Sequence, residues 1–151
     1  MDETAGIYAV QSAYLERHVQ VGIAQGRVLS VEFPQTPTAD ASDEHDLLDR
    51  IEAYLQGERD DFADVEVAMT MPTDQREVLS AVRQIPYGED ATVEQVGHMA
   101  AGVEPDDDGG KIREALAANP APIFVPTHRV RDGPNGMPAA VEGRLRTLEG
   151  L

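Results

Sequence analysis

Two hydrophobic rhythms divide the chain. Up to about residue 33 apolar and polar positions partly alternate, over residues 7–10, 19–24 and 28–33, and the second and third runs are joined by Gln25-Gly26-Arg27. Period-two patterning across so short a connection predicts antiparallel strands. Residues 34–45, rich in Pro, Thr, Ala, Ser and Asp, read as a loop. Leu47, Leu48, Ile51 and Leu55 then share one face of a helix over 46–56 that Gly57 ends. A short strand is predicted at 65–69, leading to Pro72.

Beyond Pro72 the rhythm becomes helical. Val78, Leu79, Val82 and Ile85 predict a helix capped by Thr73 or Asp74, running through Gln84 and stopped by Pro86-Tyr87-Gly88. Thr92 and Gln95 have capping-box spacing and open a short helix through Ala101. A third helix, 111–118, turns Ile112, Ala115 and Leu116 inward, and 123–125 reads as a buried strand. Val141, Leu145 and Leu148 give a closing helix over 139–149. Two short helices joined by a turn and followed by a strand have the pattern of a winged-helix-like helix-turn-helix. The expected fold is therefore α+β, with a sheet-and-helix domain over 1–70 and a winged-helix-like domain over 71–151.

Composition bounds the chemistry. A chain of 151 residues with 41% apolar residues can bury one substantial core or two small ones in contact. It contains no cysteine, which excludes disulfides, thiolate metal sites and thiol catalysis. His18, His45 and His98 lie far apart without ligand spacing, and Asp106-Asp107-Asp108 lacks the pattern of a calcium loop, so neither metal nor cofactor is expected. No apolar run approaches the roughly 20 residues that span a bilayer, and the start lacks signal-peptide features. The expectation is a cytoplasmic monomer with no membrane partner.

Charge sharpens this. There are 28 acidic and 12 basic residues, a net charge of −16, and Lys111 is the one lysine. Such a surface suits a halophilic protein better than it signals an acidic partner face. At 1 M salt the screening length is about 3 Å, so overall charge then says little about contact with DNA. Residues 1–69 carry 4 basic and 15 acidic side chains, whereas from Lys111 onward there are 6 basic and 4 acidic. The basic end is a place for phosphates to meet the chain.

The densest chemical signal is Asn119-Pro120-Ala121-Pro122-Ile123-Phe124-Val125-Pro126-Thr127-His128-Arg129-Val130. It resembles the active-site segment of the O6-alkylguanine-DNA alkyltransferases, which carries Pro-Cys-His-Arg-Val. Pro72-Thr73-Asp74-Gln75-Arg76-Glu77-Val78-Leu79 and Ile85-Pro86-Tyr87-Gly88-Glu89 also resemble that family's helix start and turn, in the same order, so the resemblance spans nearly the whole chain. It implies a ribonuclease-H-like N-terminal domain. It also implies a Glu–His–water relay that activates a cysteine acceptor. His128 and Glu149 stand where the relay's His and Glu would be, Asn119 where a supporting Asn sits, and Thr127 where the cysteine should be. A free thiol has a pKa of about 8.5 and is lowered by such a relay, whereas a hydroxyl is a far weaker acid and a poor nucleophile at saturated carbon.

The same resemblance assigns DNA contacts, several of them altered. Gly110 occupies the position of the arginine that fills the gap left by a flipped nucleotide, with Lys111 beside it and Arg113 one turn on. Val93 replaces the tyrosine that turns the target phosphate, Gly136-Met137-Pro138-Ala139 stands in the pocket lid, and Glu142 replaces a lysine. Arg129 is grouped with the DNA-facing residues, but the resemblance equally implies a structural His-Arg pair that knits this segment to the last helix, with His128 and Arg129 as core hydrogen-bonders and Glu149 as a partner for Arg129. Three functions remain open. One is a non-catalytic protein that binds DNA, reads alkylated guanine and recruits repair proteins. Another is an active transferase with a non-cysteine acceptor. The third is a fold relic serving as a protein-interaction module, which the acidic turn at Asp106–Asp108 favours.

Overall fold

The computed structural model describes residues 5–100 and 110–151. The expected acidic turn at Asp106–Asp108 and the end of the helix expected to reach Ala101 lie outside them.

Three strands form an antiparallel meander in the order β1 (Ala5–Ser12), β2 (Arg17–Ala24), β3 (Arg27–Glu32). The β2–β3 connection is the two-residue turn Gln25-Gly26, both at positive φ (54° and 79°), the geometry whose twist matches paired strands. One sheet face buries Val19, Val21 and Ile23 under α1 (Asp46–Leu55) and the C-terminal elements. His45 caps α1, its ring nitrogen accepting from Leu47 N.

The rest is helical: α2 (Thr73–Val82), α3 (Val93–Met99), α4 (Gly110–Ala117), a single 3-10 turn at Thr127–Arg129, and α5 (Ala139–Glu149). The Thr92–Gln95 capping box forms as its spacing predicts, with Thr92 Oγ1 accepting from Gln95 N and Gln95 Oε1 from Thr92 N. Helix α2 starts one step earlier than its polar residues suggest: Pro72 is the N-cap and no side chain caps it. It also stops at Val82, where Gln84 N and Ile85 N tighten onto Ala81 O and Val82 O ahead of Pro86, and the Arg83 side chain donates to the carbonyls of Phe62 and Val65. Gly150, at φ 84°, ends α5 in a left-handed cap, and Leu151 N returns to Arg146 O.

Two strand expectations are corrected. Residues 65–69 make only a single-residue bridge, Val28 pairing with Val67, because Val28 N and O are the atoms of β3 that reach this segment. Residues 123–125 are not a strand but a tight turn closed by the Pro122–Val125 bridge, with Ile123 at φ 81°. A β-branched residue there is strained. Its burial at 3% exposure is the compensation the structure shows.

The buried apolar residues form one cluster from Leu15 to Leu145. The N-terminal sheet and α1 therefore act as a wall against which residues 121–130 are set. Phe62 packs edge-on against Phe124 and Tyr54, and Tyr54 packs edge-on against Tyr87. At the other end Tyr14 OH donates to Arg144 O at 2.6 Å, and the Arg144 guanidinium reaches back to Tyr14 O and Glu16. This clasp ties the β1–β2 hairpin to α5. Among the described residues no helix is long and apolar enough to cross a membrane.

Candidate functional site

Thr127, His128 and Arg129 share one 3-10 turn and are 0, 0 and 2% exposed; His128 and Arg129 reach Glu149 of α5, whereas Thr127 turns toward Asn119 and Asn135. Two bridging bonds hold the turn from outside, Ala91 N to Arg129 O and Arg131 N to Ala91 O. From α5, one turn apart on the same face, come Arg146, which donates to His128 O at 2.7 Å, and Glu149. The structure brings together four residues expected at the site: Thr127, His128, Glu149 and Asn119.

Glu149 is the hub. Its Oε1 accepts from Arg129 Nε at 2.7 Å and from Gly88 N at 3.3 Å. Its Oε2 accepts from Arg129 Nη2 at 3.0 Å, from His128 Nε2 at 2.8 Å, and from the hydroxyl of Tyr54. Burial alone would raise the carboxyl, but the donors His128 and Arg129 outweigh it and hold Glu149 well below the usual carboxylate range. Tyr54 is pushed well up, first by burial and then by the adjacent carboxylate, so it stays a hydroxyl that donates. Burial lowers His128, against the pull of Glu149. A neutral imidazole that donates through Nε2 carries its lone pair on Nδ1, a buried atom with no hydrogen-bond partner. In that tautomer Nδ1 is the atom that could receive a proton, as the base of the expected relay would.

Thr127 does not complete it. Its Oγ1 accepts from Asn119 Nδ2 at 2.9 Å and donates to Asn135 O at 2.9 Å. The one hydroxyl proton is committed to a carbonyl, and His128 is not among its partners. Asn119 is the shaping residue: its Nδ2 also donates to Val125 O, and its Oδ1 accepts from Ala121 N, which fixes the tight turn ahead of Pro126. The site suits holding a proton and a shape, and offers no free nucleophile. Among the described residues no cluster of His, Asp and Glu could hold a metal.

The DNA-facing set divides. Lys111 and Arg113 lie on the exposed side of α4, where Arg113 donates to Asp132 O at 2.9 Å and Lys111 stands 4.0 Å from Asp74. Gly110 begins α4 and is half-buried. Val93 is 4% exposed and its N–H donates to Asp132 Oδ1 at 2.7 Å, so its side chain belongs to the core. Arg129 is a correction. Its guanidinium is spent on Glu149, Ile85 O and Asp61, so it braces α5 against the turn and faces no partner outside the protein.

Sequence reasoning missed Tyr54 and Asn135. Tyr54 could have been found: it sits three residues after Ile51 on the buried stripe of α1, and a buried tyrosine hydroxyl demands a partner. Asn135 acts through its backbone carbonyl, which no side-chain pattern announces.

Comparison with known proteins follows the same lines. A family model described as 6-O-methylguanine DNA methyltransferase, DNA binding domain, matches residues 73–146. The methylated-DNA–protein-cysteine methyltransferase of Methanopyrus kandleri is 39% identical over 109 residues, covering 70% of this chain and 78% of that protein. Its counterpart from Metallosphaera sedula is 30% identical over 105 residues, covering 68% of this chain and 64% of that one. The solved structure of Mycobacterium tuberculosis OGT in complex with DNA superposes with a TM-score of 0.72 at 20% identity, over 97% of this chain and 91% of that one, a likeness of fold.

Proposed function

The chain belongs to the methylated-DNA–protein-cysteine methyltransferase family, and we propose that it is a DNA-binding member that reads alkylated guanine without accepting the alkyl group. The observation that carries this reading is the state of Thr127. Alkyl transfer needs an acceptor that can lose a proton to the relay and approach a saturated carbon. The Thr127 hydroxyl is wholly buried, and its proton is held by Asn135 O instead of being aimed at His128. A thiolate has no proton to surrender and is a strong nucleophile at saturated carbon, and the sequence has no cysteine.

The binding half of the proposal rests on retained parts. The DNA-binding family model covers α2 to most of α5, and a relative of the same fold has been solved in complex with DNA. We read α3 and α4 as a winged-helix-like pair, with 71–151 as the DNA-binding portion and 1–70 as a ribonuclease-H-like buttress. Lys111 and Arg113 on exposed α4 are the phosphate-facing cations of this reading, and repair proteins are the partners that a bound lesion would recruit.

Incubation of the protein with a duplex bearing one O6-methylguanine, followed by intact-mass measurement, tests the chemistry. Unchanged protein mass is the expected result. Gain of one methyl group, localised to Thr127, would restore the active-transferase reading.

A further inference from the structure

The segment that follows the acceptor turn, residues 131–138, lies closed over it, and its attachments are unusual for a loop. Gly133 is tucked so tightly that a Cβ there would come within 2.9 Å of both Leu116 and Val93 side chains. Gly136, at φ 76°, lies against the end of α4, where a Cβ would meet Ala117 O at 3.2 Å. Between them Asn135 is 8% exposed, and its Oδ1 accepts from Met137 N at 2.9 Å, which fixes the bend. Asp132 ties the loop's start to α3 through Val93 N and to α4 through Arg113. One side chain pins its centre to the acceptor turn: Thr127, through the bond from Oγ1 to Asn135 O.

We propose that Thr127 is a latch. Its hydroxyl holds the 131–138 loop closed over the turn that bears His128, and a base can enter beside His128 only when the bond to Asn135 O breaks. The residue that stands where the family resemblance expects the acceptor is thus the one that closes the gate. A hydroxyl makes a directed bond to a buried carbonyl, whereas a thiol is only a weak donor. Asn119 strengthens the latch by donating to the same oxygen, because a hydroxyl that accepts one hydrogen bond polarises the one it donates. The consequence for ligands follows from population arithmetic: affinity for an extruded base is reduced by the fraction of molecules whose loop is open. This consequence rests on the DNA-binding reading above; the latch itself does not.

Amide hydrogen exchange separates the two. It should be run on the wild-type protein, Thr127→Val and Thr127→Ser, each alone and with the O6-methylguanine duplex. Valine keeps the shape and deletes the hydroxyl, leaving Asn135 O buried without its donor; serine keeps the bond. The latch predicts that exchange at residues 133–137 rises roughly fivefold or more in Thr127→Val, stays near wild type in Thr127→Ser, and is unchanged at the α2 amides of Val78–Val82. Equal loop exchange in all three proteins would overturn it. Should Thr127→Val fail to fold, the wild-type hydroxyl proton decides. A Thr127 hydroxyl resonance that persists in water supports the latch, and rapid exchange with solvent overturns it. In the duplex arm, Thr127→Val should bind the lesion at least several-fold more tightly than wild type. If no variant binds DNA, the functional reading fails while the loop exchange still decides the latch.

Discussion

Replacing Glu149 by glutamine removes the charge on which the site is centred and nothing of its size. Arg129 is 2% exposed and would then keep Ile85 O and Asp61, whose carboxylate lies at 3.3 Å and is half exposed. Breaking a buried pair by removing one partner costs about 3–5 kcal/mol, because the remaining charge is left uncompensated. A glutamine oxygen can still accept from one donor, which places the expected loss toward about 3 kcal/mol. For a domain of this size that lowers the melting temperature by on the order of 10 °C. The assay is thermal and urea denaturation of both proteins at 0.1 M and 2 M KCl. Salt screens exposed pairs and barely reaches buried ones, so the difference between the two proteins should be the same at both concentrations. The exposed pair of Arg27 with Glu66 is the contrast: Arg27→Ala should cost little, and less still in 2 M KCl. A Glu149→Gln loss below about 0.5 kcal/mol, or one that vanishes in salt, would refute the buried hub.

Other consequences follow from the same cluster. Burial lowers His128, so the unfolded chain binds a proton more readily than the folded one and stability falls as pH drops through the ordinary histidine range near 6.5. Glu149, also lowered, steepens that loss below the ordinary carboxylate range near 4.5. The difference between wild type and His128→Gln should therefore shrink on acidification from pH 7 to 5, by up to about 1.4 kcal/mol per pH unit, and parallel curves would contradict the assignment. Tyr54→Phe keeps the edge-on packing with Phe62 and Tyr87 but deletes a donor to a carboxylate. Denaturant titration should show a loss of about 1.5–3 kcal/mol, and NMR titration should show His128 becoming more basic. The charge of −16 predicts that the melting temperature rises from 0.1 M to 2 M KCl, as screening relieves self-repulsion.

Much of the fold was legible because local chemistry and final structure agree. The paired positive φ at Gln25-Gly26, the Thr92–Gln95 capping box and the Val141–Leu145–Leu148 stripe of α5 each act within a few residues. Long-range contacts were less legible. Ile123 to Val125 reads as a strand by composition, yet Asn119 captures the Ala121 and Val125 backbone and folds it into a turn. Arg129 reads equally as a DNA-facing cation or as a core partner of Glu149, and only the approach of α5, twenty residues on, decides for the second. Tyr54 and Glu149 are 95 residues apart, and no periodicity joins them. The identities of the relay residues could be read from the segment around Thr127, but the occupation of its hydroxyl by a backbone carbonyl could be seen only in three dimensions.

The central claim is reversible recognition of alkylated DNA by a site that cannot react with it. Fluorescence anisotropy of a labelled duplex carrying one O6-methylguanine, against the same duplex with guanine, in dilute buffer and in molar KCl, tests it most directly. The account predicts tighter binding to the lesion and full release on competition with unlabelled duplex. Absence of binding to either duplex at both salt concentrations would contradict it.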